Sequence, residues 1–312
     1  MSTTSRTLTD GVPGKSFKDI QIAQDRPSWL SSAEFPFTSR WTEIDGARMH
    51  YVDEGNGPVL LMIPGTPMWS FMYRHTIKTL SKQFRCIAVD QPGLGLSQAP
   101  LIKNRAFSRN AELFQGFVKV LDLRDITLVM HATGGPPALE MAVRERNRIR
   151  GLVVTNSFAW PLTEPKLRFF VRMISSRLFA FLNINFNFLP VITSKKGRST
   201  GPFSAEEKAA ILGPYQDRRV REHLQNVAFS LRTEEGFLQN LEQRLSALCH
   251  IPTLFLYGTN DNGYKAGLLE HWKRLLPNHK IALLEKSRHF AIEDEPERYT
   301  SELKLWLQEQ IG

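Results

Sequence analysis

The chain has 312 residues, 42% of them hydrophobic and 23% charged, with a formal net charge of +9. That size and apolar content can bury a large core, which excludes a disordered chain or a stapled miniature scaffold and favours one large domain carrying an insertion. The two cysteines, Cys86 and Cys249, form no spaced pattern, so no disulfide framework or zinc site is expected and a reducing, cytoplasmic compartment is the default.

In chain order, residues 1–35 read as an N-terminal lead-in, polar at the start and without the apolar run of a secretory signal. Two alternating runs between 40 and 53 flank Asp45 and Gly46, a hairpin signal. Short apolar runs at 58–63, 84–89, 126–130 and 152–155 suit strands buried on both faces. Helical patterns at 111–121 and 137–144 lie between them. The alternation predicts an α/β protein with a mostly parallel central sheet flanked by helices. From 158 to 245 the strand signals stop and the pattern is helical, with a Ser204-x-x-Glu207 capping box opening one helix. Strand-like runs return at 252–257 and 280–285, and a helix at 296–310 closes the chain. The expected plan is therefore a core of 36–157 and 246–312 with a helical cap at 158–245.

The apolar stretch 178–190 is too short and too rich in asparagine to span a bilayer, so a soluble protein is expected. Much of the positive charge lies between Lys166 and Arg221. A solvated basic surface is the plain reading of it, and an anionic substrate or a membrane surface is the functional one. No nucleic-acid motif is present, and no spacing among the eight histidines suits a metal.

Segment 126–136 (ITLVMHATGGP) reads as a buried strand, a sharp turn and a helix start. That is the setting of a nucleophile elbow, in which a strained turn pushes one side chain into the active site. The residue at its tip is Ala132, which has no atom able to attack a substrate. Further on, 256–262 (LYGTNDN) places Asp261 just after a strand, and 284–290 (LEKSRHF) places His289 after the next. The order elbow, acid, histidine is that of α/β-hydrolases, and a carboxylate of this kind fixes an imidazole's tautomer and stabilises its protonated form. His131 is expected to pack behind the turn. The amides of Thr66 and Thr133 are candidate oxyanion donors, a role that needs no nucleophile. The Gly-rich run 90–97 (DQPGLGLS) reads as a structural turn.

Segments 49–55 (MHYVDEG), 64–74 (PGTPMWSFMYR), 90–97, 154–161 (VTNSFAWP) and 289–296 (HFAIEDEP) resemble the haloalkane dehalogenases and the related epoxide hydrolases and β-lactone decarboxylases. The likeness runs from about residue 35 to the C-terminus and is weakest in the cap. It implies the α/β-hydrolase fold, a substrate pocket to which Trp69, Trp160 and Tyr215 contribute, and no cofactor or metal. It also implies a covalent aspartate where this chain has Ala132, a halide-binding tryptophan where it has Thr133, and a second halide donor, commonly asparagine after His-Gly, where it has Pro64-Gly65-Thr66. Tyr215 is the only tyrosine in the cap, whereas epoxide hydrolases use cap tyrosines. Three readings follow: general-base chemistry by His289 and Asp261 (slow hydrolysis, lyase or isomerase type) on a small, largely apolar and possibly anionic substrate; a non-catalytic protein binding a small hydrophobic ligand; or an engineered Ala132 knockout of a Ser or Asp enzyme.

Overall fold

The computed structural model describes residues 21–22 and 26–311. Among these, nine strands form one sheet: β1 (Gln21–Ile22), β2 (Arg40–Ile44), β3 (Ala47–Glu54), β4 (Val59–Ile63), β5 (Arg85–Val89), β6 (Ile126–His131), β7 (Ile149–Thr155), β8 (Thr253–Gly258) and β9 (His279–Leu284). Their spatial order is β1-β2-β3-β5-β4-β6-β7-β8-β9. The pairings from β1 to β5 are antiparallel and those from β5 through β4 to β9 are parallel. The β2–β3 hairpin turns on Asp45 (φ 47°) and Gly46 (φ 79°), the left-handed pair that a two-residue hairpin loop requires.

The central strands are buried on both faces, and alternate residues feed two separate cores. Leu61, Ile63, Leu128 and Met130 pack into one, and Leu60, Met62, Val129 and Val153 into the other. This is why those strands read as unbroken apolar runs rather than as alternating ones.

Between β7 and β8 the described residues contain helices and no strand: Pro165–Ile174, Arg177–Phe186, Phe188–Lys196, Ala205–Leu212, Arg218–Thr233 and Glu235–Arg244. The Ser204 capping box forms as the sequence predicts, with the Ser204 hydroxyl and the Glu207 carboxylate each accepting the other's backbone amide. Leu167, Val171, Ile174, Leu224 and Val227 from this insertion join the first core, and Ala210 and Ile211 join the second.

Two expectations change. Much of the lead-in over 1–35 lies outside the described residues, but the rest is part of the fold: β1 pairs with β2, and Leu30 and Phe35 are buried in the second core. The helix expected from 111 starts earlier, at Ala106. The reason is tertiary. Glu234 accepts the amides of Phe107 and Ser108 at 2.7 and 3.0 Å, and Ser230 accepts that of Ala106 at 2.9 Å, so side chains from the insertion cap a helix of the core.

Candidate active site

β6 ends at His131, and the chain turns at Ala132 with φ +44° before the helix Gly135–Arg144 begins. The left-handed region disfavours a residue with a Cβ, so the turn is held by its surroundings. The Ser157 hydroxyl donates to the Ala132 carbonyl at 2.7 Å. A Cβ on Gly134 would stand 2.5 Å from the Pro64 carbonyl oxygen, and one on Gly65 would stand 2.6 Å from the Ala132 methyl. Both positions thus need glycine for close approach of backbone. Ala132 itself is buried.

The Thr66 amide, the first candidate oxyanion donor, already has a partner: it donates to Thr133 Oγ1 at 2.9 Å, and the two threonine hydroxyls lie 3.0 Å apart. Of the three candidate substrate-binding aromatics, two have polar partners, and the third, Trp160, is stacked with its buried Nε1 unpartnered among the described residues. Trp69 is fully buried and donates from Nε1 to the Ala210 carbonyl at 3.0 Å. Tyr215 donates its hydroxyl to the Pro67 carbonyl at 2.6 Å, and burial, with the nearby Asp90 charge, holds that hydroxyl far above its ordinary pKa. Trp160 stacks on His271 with ring centroids 4.0 Å apart. The Trp69 and Tyr215 bonds tie the insertion to the 64–69 loop, and none of the three aromatics lines the cleft that holds His289.

Asp261 and His289 do come together, from the ends of β8 and β9. His289 Nδ1 lies 2.8 Å from Asp261 Oδ2. The other carboxylate oxygen, Oδ1, accepts the amides of Gly263 at 2.7 Å and Tyr264 at 3.2 Å, capping the short helix Asn262–Lys265. Burial alone would raise the Asp261 carboxyl. The His289 ring, the Tyr264 amide and the Asn156 side chain outweigh it and hold the group below its ordinary pKa. An ionised carboxylate only accepts, so Nδ1 carries the hydrogen and Nε2 holds the lone pair. Nε2 takes no partner among the described residues, and the ring opens into a cleft of about 450 Å³ whose wall includes Thr193, Lys196, Asn260, Lys265 and Arg288.

A second pair has the same geometry and a different environment. His50 Nδ1 lies 2.8 Å from Asp90 Oδ2, and Asp90 also accepts the amides of Ser70 and Leu96. The His50 side chain is 0% exposed and that of His289 is 42% exposed. Burial, and a second partner for His50 Nε2 in Ser39 Oγ at 3.0 Å, therefore separate this dyad from the exposed one. His131 packs behind the turn, its ring centroid 4.9 Å from that of His289. Burial and the neighbouring His289 push its pKa down to about 3, so it stays neutral.

His75, Glu207 and Glu293 bring donor atoms within 4.8 Å of one another. A guanidinium already serves this group: Arg74 meets both carboxylates at 2.6 Å, and Arg198 reaches them as well. Sequence reading missed this cluster, and it missed Asn156, whose Oδ1 accepts the Gly258 amide at 3.1 Å beside Asp261. The available signal was an asparagine directly after a strand, a residue that tolerates positive φ; here φ is +43°.

The alpha/beta hydrolase fold family matches residues 58–296. Haloalkane dehalogenase 2 of Mycobacterium tuberculosis (strain ATCC 25618 / H37Rv) is 30% identical over 270 residues, covering 85% of this chain and 93% of that protein. A cis-3-alkyl-4-alkyloxetan-2-one decarboxylase of Shewanella oneidensis is 27% identical over 288 residues, covering 88% and 89%. In fold, the chain matches the crystal structure of the haloalkane dehalogenase DatA from Agrobacterium tumefaciens C58 with a TM-score of 0.77 at 20% identity, over 90% of this chain and 99% of that one. Elbow, strand order and relatives agree: the chain belongs to the α/β-hydrolase fold family, among the relatives of the haloalkane dehalogenases.

Proposed function

We propose that this protein is an enzyme that uses His289 as a general base on a small molecule, with Asp261 as its orienting partner and no covalent intermediate at position 132. One observation carries the reading: the His289 imidazole is fixed through Nδ1 by a buried carboxylate at 2.8 Å while its unpartnered Nε2 belongs to a ring that opens into a cleft. In the proposed step Nε2 removes a proton from water or from an acidic substrate C–H, and Asp261 stabilises the imidazolium. A positioned base of this kind contributes about 10²–10⁴ in rate.

The cleft wall fits a substrate with an apolar part and an anionic part. Ile192 and Phe290 offer apolar surface, and Lys196, Lys265 and Arg288 offer positive charge for an anionic group or for charge that develops in the reaction. The helical insertion would serve as the cap, since helix Phe188–Lys196 supplies part of that wall. The covalent routes of the relatives are not proposed, because a methyl group at 132 can neither displace a halide nor form an ester.

The packing around Ala132 favours one rival. Thr66 bonds to Thr133 and Tyr215 to Pro67, an arrangement that also suits a non-catalytic protein binding a small hydrophobic ligand. A paired turnover screen separates the two. The protein, Ala132→Asp, Ala132→Ser and His289→Ala would be assayed on aryl esters, haloalkanes, epoxides and β-lactones. Turnover by the unaltered protein that disappears in His289→Ala supports the general base. Turnover only in a 132 variant indicates a covalent enzyme lacking one side chain. Silence from all four supports the binding protein.

A further inference from the structure

The helix Pro165–Ile174 has apolar side chains on both of its faces. Leu167, Val171 and Ile174 are buried against the core, as a surface helix requires. The opposite face carries Phe169, Phe170 and Met173, which are 71%, 47% and 43% exposed. The next helix, Arg177–Phe186, repeats the arrangement with Leu178, Phe181 and Phe186 at 70%, 56% and 63% exposure. Both helices pack on each other and on helix Arg218–Thr233. Large apolar side chains this exposed on neighbouring helices mark an interaction site.

The charges around them say what kind. Lys166, Arg168, Arg172, Arg177, Lys195 and Lys196 are all exposed, and no described residue forms a salt bridge with any of them. No aspartate or glutamate occurs from 165 to 203. A second copy docked face to face would set these cations against their own duplicates with no carboxylate in either segment, which costs several kinds of electrostatic repulsion and returns none. An anionic lipid surface meets both features at once: phenylalanine and leucine side chains enter the headgroup boundary, and lysine and arginine side chains meet the lipid phosphates and carboxylates. No helix among the described residues is long and apolar enough to cross a membrane, so the chain would lie on the bilayer rather than span it.

We infer that the face formed by helices Pro165–Ile174, Arg177–Phe186 and Phe188–Lys196 docks on an anionic membrane surface. Ile192 and Lys196, both exposed on helix Phe188–Lys196, are also part of the wall of the His289 cleft. Docking therefore sets the mouth of the cleft beside the lipid, where an apolar ligand dissolved in the bilayer would meet it.

The test is flotation of the full-length protein with vesicles of phosphatidylcholine alone and of phosphatidylcholine mixed with phosphatidylserine, at low and high salt. The expected result is co-flotation with the anionic vesicles, little with the neutral ones, and weakening by salt. Each cation near such a surface strengthens partition roughly fivefold, so Lys166→Ala/Arg172→Ala should weaken it on the order of 20-fold. Phe169→Ser/Phe181→Ser should abolish flotation while leaving thermal unfolding nearly unchanged, since those side chains are exposed in the free protein. Absence of flotation with anionic vesicles, or equal flotation with neutral ones, overturns the inference. So does a concentration-dependent dimer in sedimentation velocity that the phenylalanine substitutions dissolve. The readout is independent of turnover, so the inference stands or falls separately from the role of His289.

Discussion

His131 donates its Nε2 hydrogen to the main-chain carbonyl of His289 across 2.8 Å. The last residue of β6 thereby holds the loop that carries the proposed base, and the strand that leads to Ala132 is coupled to the loop beyond β9. A carbonyl only accepts, so the bond also fixes the His131 tautomer and leaves Nδ1 as a buried lone pair without a partner.

His131→Phe should lose about 1–3 kcal/mol of stability in a urea titration at neutral pH, because a buried acceptor loses its donor. The acid limb should change too. The folded-state pKa lies near 3, below the ordinary 6.5, so the unfolded chain binds the extra proton between those values. Stability from this group is complete above about 6.5 and is lost as pH falls towards about 3, at up to about 1.4 kcal/mol per pH unit. The difference between the wild-type and variant curves isolates that slope; parallel curves would remove the burial argument.

Asp261→Asn keeps an oxygen for the Gly263 and Tyr264 amides but presents an N–H₂ to His289 Nδ1 or breaks the cap. In the first case the tautomer flips and Nε2 loses its role as acceptor; in the second the amide oxygen still accepts from Nδ1, but the imidazolium loses its balancing negative charge. Any His289-dependent kcat should fall by about 10²–10⁴, with the fold retained by circular dichroism. The native carboxyl sits below its ordinary 3.8. Its stabilising contribution is therefore present above about 3.8 and lost as pH falls through the depressed value, and the variant should lack that acid-side loss.

Arg74→Met should be among the most damaging single substitutions away from the cleft. Arg74 is fully buried between Glu293 of the core and Glu207 of the insertion, 2.6 Å from each. Removing a guanidinium from a buried pair costs about 3–5 kcal/mol, because a carboxylate is left unpaired. Arg198 also reaches both acids, which places the expected loss at the low end. Glu293→Gln should cost less than Arg74→Met in the same unfolding experiment; the reverse order would show that the acid, not the arginine, organises the cluster.

Gly134→Ala should destabilise by about 3 kcal/mol, the upper end for overpacking, because the new Cβ would meet the carbonyl oxygens of Pro64 at 2.5 Å and Ile63 at 3.0 Å. Gly236→Ala is the matched control: nothing lies within 4 Å of its Cβ position, and a gain of about 0.4–1 kcal/mol is expected from the reduced freedom of the unfolded chain. Equal thermal shifts for the two variants would mean that the elbow tolerates a side chain at this position.

Local chemistry was legible without the fold. Asp45-Gly46 specifies its hairpin because only two left-handed residues close that loop, Ser204 and Glu207 specify a helix start three residues apart, and the apolar runs at 58–63, 84–89 and 126–130 become strands buried on both faces. The order of Ala132, Asp261 and His289 along the chain sufficed to expect an elbow, an acid and a base at strand ends facing one crevice. The acid and base follow the adjacent strands β8 and β9, and the elbow follows β6. What the sequence could not decide is which polar groups remain free, since that depends on partners far away in the chain. Thr66 spends its amide on Thr133, Tyr215 its hydroxyl on Pro67 and Trp69 its indole on Ala210. The helix at Ala106 takes its caps from Ser230 and Glu234. His50 and His289 each sit beside an aspartate, but His50 is buried with its Nε2 3.0 Å from Ser39 Oγ, whereas the His289 ring is exposed. A donor or base is available for chemistry only when no folded neighbour has claimed it, and that is a property of packing across the sheet rather than of any local pattern.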